Sequence, residues 1–218
     1  MRVVLLGPPG AGKGSLASVC HVRLGLAHIS TGEIFRREMA AKSALGRRVR
    51  GYVTSGRLVP DALVVKLMAA HLTPRIASKG FVLDGFPRTD RQAVGLDRVL
   101  SARRFPLDGA VFLETPLPVL VRRLAGRRVC SRCGANFHIR TMRPKRVGRC
   151  DRCGGSLLIR KDDEPATIRR RLAVDRQAAR PLVRYYERQG TLFSISGEGR
   201  IEAMFARMLR LCRRQGWL

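Results

Sequence analysis

The stretch Gly7 to Ser15 reads GPPGAGKGS, which has the GxxxxGK phosphate-loop spacing with Gly14 between the lysine and Ser15, and it directly follows the apolar run Val3, Val4, Leu5, Leu6. A buried strand that empties into such a loop makes a phosphate cradle. Its glycines let backbone N–H groups turn inward, Lys13 brings a point charge to the β and γ phosphates, and Ser15 can reach a magnesium ion. Apolar residues at Leu16, Val19, Cys20 and Leu24 then recur at helical spacing, which is the setting this loop needs. The pattern predicts a nucleoside triphosphate as ligand.

A second constellation is built from thiols. Cys130-Ser-Arg-Cys133 and Cys150-Asp-Arg-Cys153 are two CxxC pairs separated by 16 residues, and a glycine follows each pair. That spacing lets two tight knuckles aim four sulfurs at one ion, so a closed, structural zinc site is expected. Arg127, Arg128, Arg132, Arg149 and Arg152 surround the sulfurs and would help hold them as thiolates. Disulfides or redox-active CxxC pairs are the competing explanation. They fit poorly with an N-terminus that runs straight into the first strand without an export signal. Cys20 and Cys212 stand alone on helical apolar faces and read as inert core residues.

These groups need a frame. Apolar β-type runs at Val3–Leu6, Ala27–Ile29, Phe81–Leu83, Ala110–Leu113 and Leu192–Ile195 alternate with helical patterns, which predicts a parallel sheet covered by helices. Phe205, Met208, Leu209 and Cys212 mark a C-terminal helix packed on it. Two stretches break the rhythm, residues 30–59 and residues 126–163, and both read as insertions into one core.

Composition narrows the partners. The 218 residues carry a formal net charge of +27, and of the 43 basic residues six are lysines and the remaining 37 arginines. Polyanionic ligands are favoured. The arginines are scattered, not gathered in one tail, so solvated surface charge plus a phosphate site accounts for most of them. Pairs such as Arg47/Arg48 and Arg103/Arg104 are expected to face solvent. No run approaches the roughly 18 apolar residues of a membrane span, and a cytoplasmic monomer is the expectation.

Three further polar clusters point to a second substrate. Ser30-Thr31-Gly32-Glu33, which resembles a helix N-cap, stands with Arg36. Gly56-Arg57-Leu58-Val59 closes the first insertion, and Leu83-Asp84-Gly85-Phe86-Pro87-Arg88-Thr89 stands with Gln92. With these and the P-loop, the Gly126-Arg-Arg-Val129 start of the second insertion, the Arg160-Lys-Asp-Asp163 segment and the arginine run 169–171, the whole chain resembles the adenylate kinases, in the bacterial form with a long zinc-bearing lid. The resemblance implies an α/β P-loop nucleoside-monophosphate-kinase fold: a five-stranded parallel sheet with helices on both faces and two inserted subdomains. The core would comprise 1–29, 60–125 and 164–218, with an AMP-binding insertion at 30–59 and the zinc lid at 126–163.

It also implies roles. Gly10, Ala11, Gly12, Lys13, Gly14, Ser15, Arg123, Arg127, Asn136, Phe137 and Gly199 look like the ATP site. Thr31, Arg36, Arg57, Leu58, Val59, Gly85, Phe86, Pro87, Arg88, Gln92, Arg160 and Arg171 look like the AMP site. Lys13, Asp84, Arg88, Arg123, Arg160 and Arg171 would carry the transfer, with Asp84 orienting magnesium through bound water and Asp162 and Asp163 as hinge and lid contacts. The chain departs from the usual family pattern at Pro8, Ser15, Glu33 and Phe137, each a change that keeps the chemistry.

Moving a γ-phosphoryl group onto a monophosphate uses an acceptor oxygen that is already anionic, so no general base is required. Histidines 21, 28, 71 and 138 are then expected to be structural. Arginine suits the task, because its planar fork grips phosphate in two places and stays charged. One rival is a relative that takes GTP as donor. A rival of another class is a basic zinc protein that binds RNA or the ribosome, against which the second insertion holds one aromatic residue, Phe137, and no stacking platform. ATP, AMP and ADP are the expected partners, with non-specific polyanion binding as a side effect of charge.

Overall fold

The computed structural model describes residues 1–218, side chains included except those of Lys161 and Pro165. Five strands, β1 (Arg2–Leu6), β2 (Ala27–Ser30), β3 (Phe81–Asp84), β4 (Gly109–Glu114) and β8 (Leu192–Ser196), form a parallel sheet in the order β2-β3-β1-β4-β8. The near-continuous apolar sequences of the three central strands, β3, β1 and β4, are what a sheet buried on both faces requires. Alternation then divides the residues between two cores. Val3 and Leu5 face one side, with α1 (Lys13–Leu24) and α9 (Ile201–Arg214). Val4 and Leu6 face the other, with α4 (Asp61–His71), α6 (Asp90–Ser101) and α8 (Pro165–Arg188). Cys20 and Cys212 lie fully buried in the first of these cores, where burial raises their thiols to about 12 and about 11, as inert core residues should behave.

Strand register sets the site. Asp84 ends β3 opposite Leu5 of β1 and Ser30 of β2, so three strand ends form a row directly under the loop that leaves β1. Ligands of open α/β sheets bind outside such carboxyl ends where the strand order reverses. The loop stays tight because Gly7, Gly10 and Gly12 adopt φ of 129°, 87° and 101°, a region that side chains disfavour.

Two excursions leave the sheet. The first is the helix pair α2 (Thr31–Ala40) and α3 (Ala44–Ser55). Ser30 caps α2 by accepting from the Glu33 N–H, as its STGE sequence suggests. The helices meet so closely at Gly46 that a Cβ there would lie 2.1 Å from the Glu38 carbonyl oxygen. The second follows α7 (Leu117–Gly126) and holds an antiparallel sheet of β5 (Arg127–Cys130), β6 (Asn136–His138) and β7 (Leu157–Leu158). It returns through a 3₁₀ turn, Lys161–Asp163, into α8. Among the described residues, no helix is long and apolar enough to cross a membrane.

The expectation for Arg103/Arg104 is half wrong. Arg103 turns inward and donates to the carbonyls of Ala69, at 2.7 Å, and Leu72, closing the C-terminal end of α4. Arg104 is exposed.

Candidate functional site

A cavity of about 1210 Å³ opens between the P-loop, the first excursion and the antiparallel sheet, and Lys13, Arg36, Arg88, Arg123, Arg127, Arg160 and Arg171 all line it. Lys13 starts α1 and donates to the carbonyl oxygens of Gly7 and, at 3.0 Å, Pro8, so its ammonium is folded back over the loop. Burial lowers its pKa to about 8, against an opposing pull from Asp175 and Asp84. Asp84 shows the reverse balance: burial pushes it up, but His28, Lys13 and Arg88 together leave it below the ordinary carboxylate range. It accepts from the Ser30 hydroxyl at 3.2 Å, and its Oδ2 lies so close to Gly14 that a Cβ there would come within 3.0 Å.

On the P-loop side, Arg123 reaches from α7 across the chain. Its Nη1 donates to Gly197 at 2.9 Å and Ala11 at 3.2 Å, and its Nη2 to Gly199 at 3.1 Å. This clasp pins the 197–199 loop against the phosphate loop. Arg127 pairs with Asp163, which also accepts from Arg171 at 2.9 Å. Arg171 further pairs with Asp162 at 2.9 Å. Arg160 donates to Asn136 Oδ1 at 2.5 Å, yet its Nε is buried without a partner. Burial, with Arg127 and Arg36 nearby, brings Arg160 down to about 9. A buried guanidinium N–H left unsatisfied is costly, and an anion in the cavity would satisfy it.

On the opposite wall, Arg88 Nε donates to the Gly85 carbonyl at 2.9 Å, and the Thr31 hydroxyl, buried behind that wall, donates to the same carbonyl at 2.8 Å. Arg36 is held among Asp162, Glu33 and Arg127, and burial lowers its pKa.

Several expected residues stand elsewhere. Gln92 is buried beside the site: its Oε1 accepts from Arg88 N at 2.8 Å and its Nε2 donates to Asp61 at 2.8 Å. Phe86, Val59 and Ala11 are core residues. Arg57 lies 5.4 Å over the Tyr52 ring. Thr31, Gln92, Phe86, Ala11 and the Arg57-Leu58-Val59 segment are absent from the cavity wall among the described residues, whereas Gly10, Gly12, Gly14, Ser15, Gly85, Pro87, Asn136, Phe137 and Gly199 belong to it.

The wall also holds Asp175, to which sequence reasoning assigned no role, and His138, expected to be structural. Asp175 stands four residues after Arg171 on α8, the spacing that brings side chains to one helix face. That spacing was the available signal. Burial raises its pKa against the opposing pull of Lys13, Arg88 and Arg171. His138 ends β6 with Nδ1 accepting from the Arg140 and Thr141 N–H groups at 3.1 and 3.2 Å. Burial, added to Arg123, Arg128 and Arg140, lowers its pKa and favours the neutral ring.

Cys130, Cys133, Cys150 and Cys153 converge with all four sulfurs within 4.8 Å of one another. Zn–S bonds of about 2.3 Å put tetrahedral sulfurs about 3.8 Å apart, close to the observed 3.4 Å (Cys130–Cys153) and 3.6 Å (Cys133–Cys150). Backbone N–H groups of Cys133 and Arg132 point at the Cys130 sulfur and pull that thiol down to about 6. The donor set therefore fits zinc. The surrounding arginines act differently from expectation: Arg132 and Arg149 donate to the Cys153 and Gly154 carbonyls, and Arg127 goes to Asp163. Knuckle amides, not guanidinium groups, face the sulfurs.

Comparison with known proteins agrees with this geometry. A family model described as adenylate kinase matches residues 5–191. Similar curated proteins include adenylate kinases of Moorella thermoacetica, 46% identical over 94% of each chain, and Thermodesulfovibrio yellowstonii, 44% identical over 94% of this chain and 95% of the relative. That of Clostridium botulinum is 41% identical over 98% of this chain and 99% of its own. Relatedness at this level over nearly the full length, together with a phosphate loop, a cation-lined cavity and a four-thiol centre in one fold, means that the chain belongs to the adenylate kinase family, in its zinc-lid form.

Proposed function

We propose that this chain transfers the γ-phosphoryl group of Mg-ATP to AMP, reversibly, giving two ADP. The observation that carries the reading is the convergence of Lys13 and nine arginines on one cavity whose two walls come from different parts of the chain. One wall, with the P-loop, Arg123 and Arg127, suits a triphosphate. The other, with Arg36, Arg88 and Gly85, suits a monophosphate.

The acceptor phosphate is already nucleophilic, so the protein's task is to position two anions and neutralise charge at the transferring group. Lys13 and Arg123 hold the donor phosphates, Arg36 and Arg88 hold the acceptor, and Arg127, Arg160 and Arg171 face the group in transit. Magnesium, when bound with ATP, neutralises β and γ oxygens, and Ser15 and Asp84 beside the P-loop are the residues that would hold it, Asp84 through water. Residues 30–59 act as the acceptor-side insertion and residues 126–163 as the donor-side lid. Closure of both over their nucleotides excludes water, the competing acceptor. Cys130, Cys133, Cys150 and Cys153 would hold zinc, which would keep the small lid folded as it moves.

Steady-state kinetics on single variants test the division of roles. Arg36→Ala raises KM for AMP with little change in KM for ATP, and Arg123→Ala does the opposite. Equal effects on both substrates in both variants would overturn the two-wall assignment.

A further inference from the structure

Arg207, Arg210, Arg213 and Arg214 of α9 line a groove of about 570 Å³ against Ser194 and Ile195 of the sheet's edge strand, β8, and none of these residues lines the cavity. Its floor is apolar: Leu211 and Ile195 are 2% and 9% exposed. None of the four arginines has an ion-pair partner among the described residues. Arg207, Arg210 and Arg213 stand three residues apart, and Arg214 four after Arg210, spacings at which like charges on a helix repel. Nothing in the proposed reaction uses them.

One of them touches the machinery indirectly. Arg207 Nη1 donates to the carbonyl oxygens of Ser196, at 3.1 Å, and Glu198, at 2.8 Å. Arg123, from the cavity side, takes the intervening carbonyls, Gly197 and Gly199. Four successive carbonyls of one short loop are thus clasped alternately by two arginines, one facing the cavity and one facing the groove.

We propose that the α9–β8 groove is a second anion site, taking a short oligophosphate, and that its occupant weakens donor binding by drawing Arg207 off the 196–199 loop. Planar guanidinium groups grip phosphate oxygens in pairs, and several unpaired guanidiniums around one concavity suit a multiply charged chain better than a single carboxylate. An occupied groove offers Arg207 a charged acceptor in place of two neutral carbonyls. The loop then loses two of its holds, and Arg123 loses the fixed carbonyls that aim it at the P-loop. Linkage makes the effect reciprocal: a bound donor nucleotide weakens the groove for its anion by the same factor. The coupling rests on the donor role proposed for Arg123, whereas the existence of the anion site does not.

Calorimetric titration of the whole protein tests it, with sodium tripolyphosphate as probe and saturating ADP filling the central cavity. A binding step is expected, and it weakens tenfold or more in Arg210→Ala/Arg214→Ala, which touches neither the loop nor the cavity. Retention of the ADP isotherm and the melting temperature in that variant shows that it folds. Repeating the titration with ATP beyond cavity saturation identifies the source: equal affinities assign the phosphate chain alone, a tighter ATP step a whole nucleotide. In turnover assays tripolyphosphate raises the ATP KM of the wild type roughly fivefold or more beyond its effect on the double variant, which feels competition at the cavity only. No binding step in the wild type, a step unchanged in the double variant, or identical KM effects in both proteins would each overturn the proposal. Absence of any AMP-dependent turnover would instead overturn the functional reading, with the calorimetric arm still reporting on the groove.

Discussion

Asp163 grips Arg127 with both carboxylate oxygens, Nε to Oδ2 at 2.6 Å and Nη2 to Oδ1 at 2.5 Å, across 36 residues of sequence. The same carboxylate accepts from Arg171, so one fully buried acid ties the first strand of the lid to the helix that leaves it. Removing one member of a buried charged set leaves the others without compensation. Asp163→Asn is therefore expected to lower stability by about 3 kcal/mol and to raise KM for ATP. Urea unfolding read by circular dichroism checks the first, and a stability unchanged to within the error of the method would contradict the wiring.

Lys13 should make donor binding fall at alkaline pH. Its folded pKa of about 8 lies below the ordinary 10.5. Between those values the unfolded chain holds the proton that the folded one has lost, so Lys13 makes the empty protein more stable as pH rises through that window. Phosphate binding selects the charged form and works in the opposite direction. ATP affinity is expected to weaken by up to roughly tenfold per pH unit above about 8, with proton uptake on binding at pH 8.5. Calorimetry in buffers of different ionisation enthalpy measures that uptake. Asp175 raises Lys13, so in Asp175→Asn the alkaline midpoint should move down; a midpoint that stays in place would separate the two residues.

The four-thiol centre predicts a structural phenotype. Four thiols would leave zinc no open coordination position, and they lie at the small antiparallel sheet, so Cys150→Ser should lower the melting temperature by about 10 °C, several kcal/mol for a chain of this size, more than it affects turnover at 25 °C. Metal analysis should find one zinc per wild-type chain. Turnover lost by orders of magnitude with the melting curve unmoved would mean that the metal is not structural.

Gly46 carries a steric prediction. A Cβ at that position would overlap the backbone of α2 at the Glu38 carbonyl, and backbone cannot rotate away as a side chain can. Gly46→Ala should cost about 2 kcal/mol of stability. Because α2 also carries Arg36, the variant should raise KM for AMP more than KM for ATP. Equal shifts in the two KM values would break the link between helix spacing and the acceptor site.

How much of this was legible in the sequence depended on whether a signal was local. The P-loop, the paired CxxC knuckles and the STGE cap are short motifs whose geometry is fixed within a few residues, and they fold as read. Asp84 could be placed beside the P-loop because strand order in this fold makes its neighbours foreseeable. The clasp of Arg123 on Gly197, 74 residues away, left no trace in composition or spacing. Arg103 reads as solvated charge until the end of α4 is seen to need a donor. Gln92 and Thr31 carry polar groups that look ready for a ligand, yet the folded chain engages them with Asp61, Arg88 and Gly85. With 37 arginines in the chain, identity alone could not say which face the cavity and which line the groove on α9.

The most direct test of the central claim is a stoichiometric one: ADP formed by the purified protein from Mg-ATP, with and without AMP, followed by phosphorus NMR. Two ADP for each AMP consumed, with negligible ADP and no free phosphate when AMP is omitted, is the predicted result. ATP consumed at the same rate without AMP, or phosphate released in place of a second ADP, would contradict transfer between two bound nucleotides.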